Sequence, residues 1–342
     1  MRAVKEPQGE RGAALLAVLM LVGVMAAIAA VMLERSRTSA QLVGNLLARE
    51  RAGGLFLVAE SLAAARVDRL VAAGGAAVGG AAVGGAGDWQ GQATVLPLPG
   101  GSASIAAFDG GTCFNVNSLV SMAGPEALVT RPLAVAQFAA LMRALDVPEP
   151  KARQAAAAAA DWIDSDQQPA AFGAEDAAYA ARGYLTGGTL MAEPSELRAV
   201  LGVDAGLYQR LRPFVCALPE AVLSPLNVNS LRAGDSPLLA MLLPETLGPP
   251  QVRLRLAGQV LAARPQAGWG SVAEFGNAPL LRGTPLPADV LQQLTVRTGW
   301  FRLALEVRSG DRVMPGSLLL DARCGLAAGP AKVVLRRGTG ED

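Results

Sequence analysis

The chain has 342 residues, 51% of them hydrophobic and 17% charged, with a net charge of +1. It has no histidine, which removes serine–histidine and cysteine–histidine nucleophile pairs and histidine metal ligands. Near-neutrality gives no field to draw a polyanion, and three far-apart cysteines, Cys113, Cys216 and Cys324, do not make a zinc site. No nucleotide-binding glycine pattern occurs. The chain is therefore not expected to be an enzyme.

In chain order, the first feature is a short polar segment ending at Arg11-Gly12, followed by Ala13 to Leu33, 21 residues without a charged side chain. At about 1.5 Å per residue such a helix spans a hydrocarbon core of roughly 30 Å. Ala27-Ile28-Ala29 offers a secretory cleavage site, but the apolar run exceeds the roughly 7–15 residues of a signal peptide. Residues 1–12 instead resemble a prepilin-like leader, which a dedicated peptidase cuts after Gly12, leaving the apolar helix on the mature chain. Arginines flank both ends of the span, so charge does not orient it. Leu42, Val43, Leu46, Leu47, Leu55, Phe56, Ala59, Leu62 and Ala63 continue at helical spacing, which predicts one helix over residues 13–73, lipid-embedded at first and then amphipathic. Gly44 and Gly53-Gly54 are expected to bend it.

Residues 74–87 are low-complexity Gly/Ala sequence and read as a linker. Strand-like runs follow at Ala93–Leu98 and Ser104–Phe108, and again at Leu294–Val307, Val313–Leu320 and Lys332–Arg336, with a hairpin turn at Ser309-Gly310-Asp311. Residues 113–293 between them read as helical. Candidate helices are Pro132–Leu145, Glu149–Ile163, Pro194–Leu201, Ala205–Val215, Pro237–Leu243, Gln251–Ala263 and Pro287–Leu294. A helical block inside a small sheet predicts an α+β fold: a β body from residues 88–112 and 294–342, carrying an inserted α-domain. The insertion repeats itself. Phe114-Asn115-Val116-Asn117-Ser118-Leu119 returns as Leu226-Asn227-Val228-Asn229-Ser230-Leu231. Each copy is expected to cap or turn into a helical sub-bundle.

At these residues the chain resembles the general secretion pathway protein K family, the large minor pseudopilins of type II secretion systems. The matching pieces are Arg11-Gly12-Ala13, Phe114–Leu119, Asp161-Trp162-Ile163-Asp164-Ser165-Asp166, Gly173-Ala174-Glu175-Asp176, Ser195-Glu196-Leu197, Leu207–Pro213 and Leu226–Ser230. The resemblance implies a pilin-like body, a long helix on a small sheet, with a large inserted α-domain and no catalysis. It implies cleavage after Gly12 by prepilin peptidase, methylation of Ala13, inner-membrane insertion with the body in the periplasm, and I- and J-type minor pseudopilins as partners. Most pilin-like proteins carry glutamate at the fifth mature position; here that position is Ala17. A carboxylate at such depth costs on the order of 2.5–3.5 kcal/mol unless a neighbour offers a positive charge. A subunit at the pseudopilus tip has no neighbour above it, so alanine is expected there.

Asp164, Asp166, Glu175 and Asp176 are the candidate metal ligands, with Asp161 a weaker one a turn back on the helix. Asp164, Asp166, Gln168 and Glu175 fall at positions 1, 3, 5 and 12 of an EF-hand-like spacing, but Pro169 stands where an EF-hand needs glycine. The resemblance implies calcium in this domain, and this loop matches the motif. In an oxidising compartment three cysteines permit one disulfide by three pairings. Cys113–Cys216 would staple the two halves of the insertion; the pairings with Cys324 stay open. The alternative reading is nucleic-acid binding, because Leu201-Gly202-Val203-Asp204 between short helices resembles a helix-hairpin-helix module. The absence of a basic stripe argues against it.

Overall fold

The computed structural model describes residues 10–76, 89–124, 127–283, 286–310, 312–323 and 329–337. Residues 1–9 of the leader, most of the expected linker and Cys324 lie outside the described residues. The fold is α+β. Helix α1 runs over Glu10–Ala76, 67 residues, so the helix extends into the segment expected as linker. Its part from Ala14 onward contains a window long and apolar enough to cross a membrane, and none of that window is buried in the protein.

Five strands form an antiparallel sheet: β1 (Ala93–Leu98), β2 (Gly101–Asp109), β3 (Trp300–Ser309), β4 (Arg312–Asp321) and β5 (Lys332–Arg337). Their order in the sheet is their order in the chain. β2 starts three residues before the expected Ser104. β3 starts at Trp300 rather than Leu294, because Leu294 and Thr295 pair elsewhere. The β3–β4 turn passes through Gly310 at φ 58°, a left-handed conformation that glycine adopts without cost.

One face of this sheet receives α1. Ala59, Ala63 and Val67, spaced four apart, pack against Ile105, Leu303, Leu305 and Leu318. Alanines let the helix lie close, and Gly316 does the same from the sheet side: a Cβ there would meet Phe56 Cε2 at 2.6 Å. Glu60, nearly buried, accepts a two-pronged pair from Arg336 at 2.8 and 2.6 Å.

These contacts fix the direction of the body. Arg312, beside the β3–β4 turn, donates to Asn45 Oδ1 at 2.6 Å. At the opposite end, Asp68 accepts from Ala331 N at 2.8 Å, and Trp89 packs on Phe301 with ring centroids 5.3 Å apart. Asn45 stands twelve residues beyond Leu33, about 18 Å along the helix, and Asp68 about 52 Å. The β3–β4 turn therefore faces the apolar segment, and the ends of β2 and β3 at Asp109 and Trp300 face away from it. The insertion leaves and re-enters the sheet there, where Gly110 N donates to Trp300 O at 2.7 Å.

Two lobes make up the insertion. The first contains α2 (Pro132–Ala144), α3 (Glu149–Asp161), α4 (Asp176–Tyr179) and α5 (Ala205–Leu211). The second contains α6 (Ser236–Ala240), α7 (Pro250–Ala262), α8 (Val272–Gly276) and α9 (Ala288–Gln293). Several helices differ from expectation. Pro194–Ala199 is a 3-10 helix. The segment expected as Ala205–Val215 stops at Leu211, because Pro213 cannot continue it and Val215–Cys216 joins a strand pair.

That pair explains the repeat. Phe114–Asn115 lies parallel to Val215–Cys216, and Leu226–Asn227 lies parallel to Leu294–Thr295. Each copy opens a lobe and pairs with the strand that closes it. The second asparagine of each copy then clamps a distant loop. Asn117 takes Met191 N at 2.8 Å and gives to Met191 O at 2.9 Å and Leu218 O at 2.8 Å. Asn229 takes Trp269 N at 2.8 Å and gives to Trp269 O at 2.9 Å and Val296 O at 3.2 Å. Only a side-chain amide both donates and accepts in this way.

The first lobe is also closed covalently. Cys113 and Cys216 form a disulfide across 103 residues, with Cα atoms 5.8 Å apart. Closing so long a loop contributes about 4–5 kcal/mol in the chain-entropy account. Replacing both cysteines by serine should lower unfolding stability by a few kcal/mol in chemical denaturation. The same loss should appear when the unchanged protein is reduced. No loss in either case would show that this bridge does not hold the lobe.

Candidate metal centre

Helix α3 ends in a run of alanines, Ala155–Ala160, with Asp161 the last helical residue. The chain then turns, Asp164 N donating to Ala160 O at 3.0 Å, so Asp161 and Asp164 stay on one side. The loop returns through Gly173 and Ala174 and delivers Glu175 just ahead of α4. Gly173 is required by space: a Cβ there would fall 1.9 Å from Asp161 Oδ2.

The result is a buried carboxylate cluster. One ligand oxygen from each of Asp161, Asp164 and Glu175 lies within 4.8 Å of the others. The three side chains are 1%, 5% and 5% exposed. Asp161 Oδ2 accepts from Ala170 N at 3.1 Å, and Asp164 Oδ2 from Thr130 Oγ1 at 2.7 Å. Asp161 Oδ1, Asp164 Oδ1 and both oxygens of Glu175 are buried without a hydrogen-bond partner. Four orphaned carboxylate oxygens converging in the interior fit a hard divalent cation. Burial, with the neighbouring carboxylates adding to it, pushes Glu175 from 4.5 up to about 7. Asp161 and Asp164 are raised, chiefly by burial.

The cluster is not the set that spacing alone selects. Asp161 joins it directly. Asp166 is exposed, and its Oδ1 accepts from Gln168 N at 2.8 Å. Asp176 turns to Thr186, accepting from its N at 2.9 Å and its Oγ1 at 2.7 Å, which lowers its pKa. Gly12 and Ala13 lie within α1, and Ala17 is exposed on that helix. The Leu201–Asp204 turn is packed against α3, where a Cβ on Gly202 would lie 3.5 Å from Ala155 Cα, and Val203 is buried.

The raised carboxyls give the metal-free protein a defined pH response. A carboxyl whose folded pKa lies above its unfolded value holds its proton more tightly when folded, so stability falls as pH rises through that interval. Without divalent ions, the thermal midpoint should therefore fall between about pH 4.5 and about 7. Glu175→Gln should flatten that slope, and an unchanged slope would contradict the burial of this carboxyl.

Comparison with known proteins places these features in one family. Two family models, both described as type II secretion system (T2SS), protein K, match residues 112–220 and residues 226–297. These segments coincide closely with the two lobes. A type II secretion system protein K of Pectobacterium carotovorum is 36% identical over 307 residues, covering 88% of this chain and 89% of that one. One from Klebsiella pneumoniae is 37% identical over 281 residues, 82% of each chain. Among solved structures, a chain of the GspK-GspI-GspJ complex of enterotoxigenic Escherichia coli superposes with a TM-score of 0.68 at 27% identity. That match covers 90% of this chain and all of that one. The chain belongs to the type II secretion system protein K family, the minor pseudopilins.

Proposed function

We propose that this protein is the tip subunit of a type II secretion pseudopilus, initiating and capping its assembly and so supporting export of folded proteins across the outer membrane. The observation that carries this reading is the root of the insertion. The α-domain rises from the end of the sheet that faces away from the apolar segment, at Asp109 and Trp300. A further subunit stacking there would meet two helical lobes rather than a bare sheet end. Ala17 agrees with it: with nothing above, a carboxylate in the lipid-facing helix has no partner.

In this reading prepilin peptidase cuts after Gly12, Ala13 becomes the methylated N-terminus, and the helix holds the protein in the inner membrane with its body in the periplasm. I- and J-type minor pseudopilins are the partners, as the similar chain's presence in a GspK-GspI-GspJ complex supports. Helix contact in lipid relies on small residues, among them Ala14, Ala17, Gly23, Ala26, Ala27 and Ala30. A calcium ion would be held by Asp161, Asp164 and Glu175, with Asp166 nearby, and would neutralise a buried triple carboxylate. Its work is structural, locking the 165–173 loop against α3. Family membership supports a secretion component over the nucleic-acid reading.

Mass spectrometry of the membrane-extracted protein should find a methylated N-terminus at Ala13, and co-expression should recover the I- and J-type subunits with it. A soluble product beginning near Ala30 would overturn the assignment. For calcium, saturating ion should stabilise by about 3–4 kcal/mol at a hundred to a thousand times Kd. Chelation should reverse this in thermal melts. Asp161→Asn and Glu175→Gln should abolish the response, while Asp176→Asn should largely preserve it. A midpoint indifferent to every divalent ion would remove calcium from the account.

A further inference from the structure

Both ligand-bearing segments of the metal centre press on one pair of tyrosines. Trp162 stands between Asp161 and Asp164 in the chain, and its ring meets Tyr179 edge-on at 5.3 Å and Tyr184 at 6.0 Å. Tyr179 is the last residue of α4, one turn after Glu175, and is fully buried. The two tyrosine rings lie 5.6 Å apart. Their hydroxyls hold a third segment. Tyr179 Oη accepts from Leu201 N at 3.0 Å, and Tyr184 Oη donates to Ala199 O at 2.9 Å.

Ala199 ends the 3-10 helix that begins at Pro194, and Leu197 within it is buried. The front of that helix is tied to the β body. Glu196 Oε1 accepts from Ala192 N at 2.7 Å and from Glu193 N at 3.0 Å, closing the first turn. Arg337 of β5, the edge strand, pairs with Glu193 and donates to Ala192 O at 3.3 Å. Asn117 fixes the neighbouring Met191. Residues 192–201 therefore run from the tyrosines to the sheet edge, gripped at both ends. The junction they cross is underfilled: a cavity of about 340 Å³ lies between the body and the first lobe, bordered by Pro194 and Arg337. Protein interiors are otherwise close-packed, so this gap leaves room for the lobe to shift.

We propose that occupancy of the carboxylate centre is coupled, through residues 192–201, to the seating of the first lobe on the β body. The inference rests on the metal reading above. Without an ion, four buried carboxylate oxygens lack partners, which favours any shift that brings donors or water to them. Glu175 enters on the short helix α4, whose other end is Tyr179. A shift of Glu175 therefore displaces Tyr179 and its bond to Leu201. With those oxygens satisfied, α4 stays in place and the 3-10 helix meets Arg337. Such coupling is reciprocal: seating favours the ion by the same factor as the ion favours seating.

The test measures calcium affinity of the detergent-solubilised full chain by isothermal titration calorimetry, with calcium alone as the probe. Arg337→Ala alters the sheet edge rather than the centre, yet should weaken calcium binding about fivefold or more at unchanged stoichiometry. Tyr179→Phe, which removes only the hydroxyl that takes Leu201 N, should do the same. Arg308→Ala, on β3 with its partner Glu306 on the same strand, should bind as the unchanged protein does. The calcium-free thermal midpoint of each variant is measured too, since a purely structural contact would lower it and leave the affinity alone. Hydrogen exchange needs no variant. Calcium should slow the amides of residues 192–201 and of β5, but not those of β1 at the opposite edge. Unchanged affinity in both folded variants, or exchange at residues 192–201 indifferent to calcium, would overturn the coupling and leave the metal reading standing. Failure of the unchanged protein to bind calcium at all would remove both.

Discussion

The pairing of β2 with β3 is the constraint on which the architecture depends. Asp109 lies opposite Phe301, so two strand ends separated by the whole insertion are held side by side. That pairing decides where the α-domain stands, because α1 has already set the direction of the sheet through Ala59, Ala63 and Val67. The long helix carries its apolar segment at one end, the β3–β4 turn reaches Asn45, and the lobes sit at the far end. The Asp109 carboxylate ties Ser230 and Thr298 to the root of the sheet, joining the second lobe to the body.

Within the insertion, one device is used twice with different reinforcement. Both lobes close by a two-residue parallel pair and an asparagine clamp. The first adds a disulfide and a buried carboxylate cluster. The second adds Arg264, whose Nη1 donates to Asn229 O at 2.9 Å and Leu231 O at 2.7 Å. A cation thus serves each lobe's interior differently: the protein supplies it as guanidinium in the second and, in the calcium reading, draws it from solution in the first.

Periodicity made α1 and the five strands legible, because their apolar faces repeat at the spacing of one packed side. The repeat was legible as a repeat but not as a clamp. Asn117 and Asn229 reach loops 74 and 40 residues away, and no local spacing encodes such partners. Strand pairs of two residues, such as Val215–Cys216, are too short to show alternation, so Val215 reads as the end of a helix. In the acidic loop, spacing along the chain favours Asp166 over Asp161, and Asp176 stands beside Glu175 as a further candidate. The folded loop reverses this, since Thr186 captures Asp176. The three-residue step from Asp161 to Asp164 was the available signal, because it puts two carboxylates on one side of a helix end.

We propose that the insertion crowns the membrane-distal end and admits no subunit above it. Locating this protein along isolated pseudopili, by gold labelling of a tag on the second lobe and electron microscopy, tests that claim most directly. One label per filament is expected, at a single end. Labels spaced along the filament shaft would contradict it.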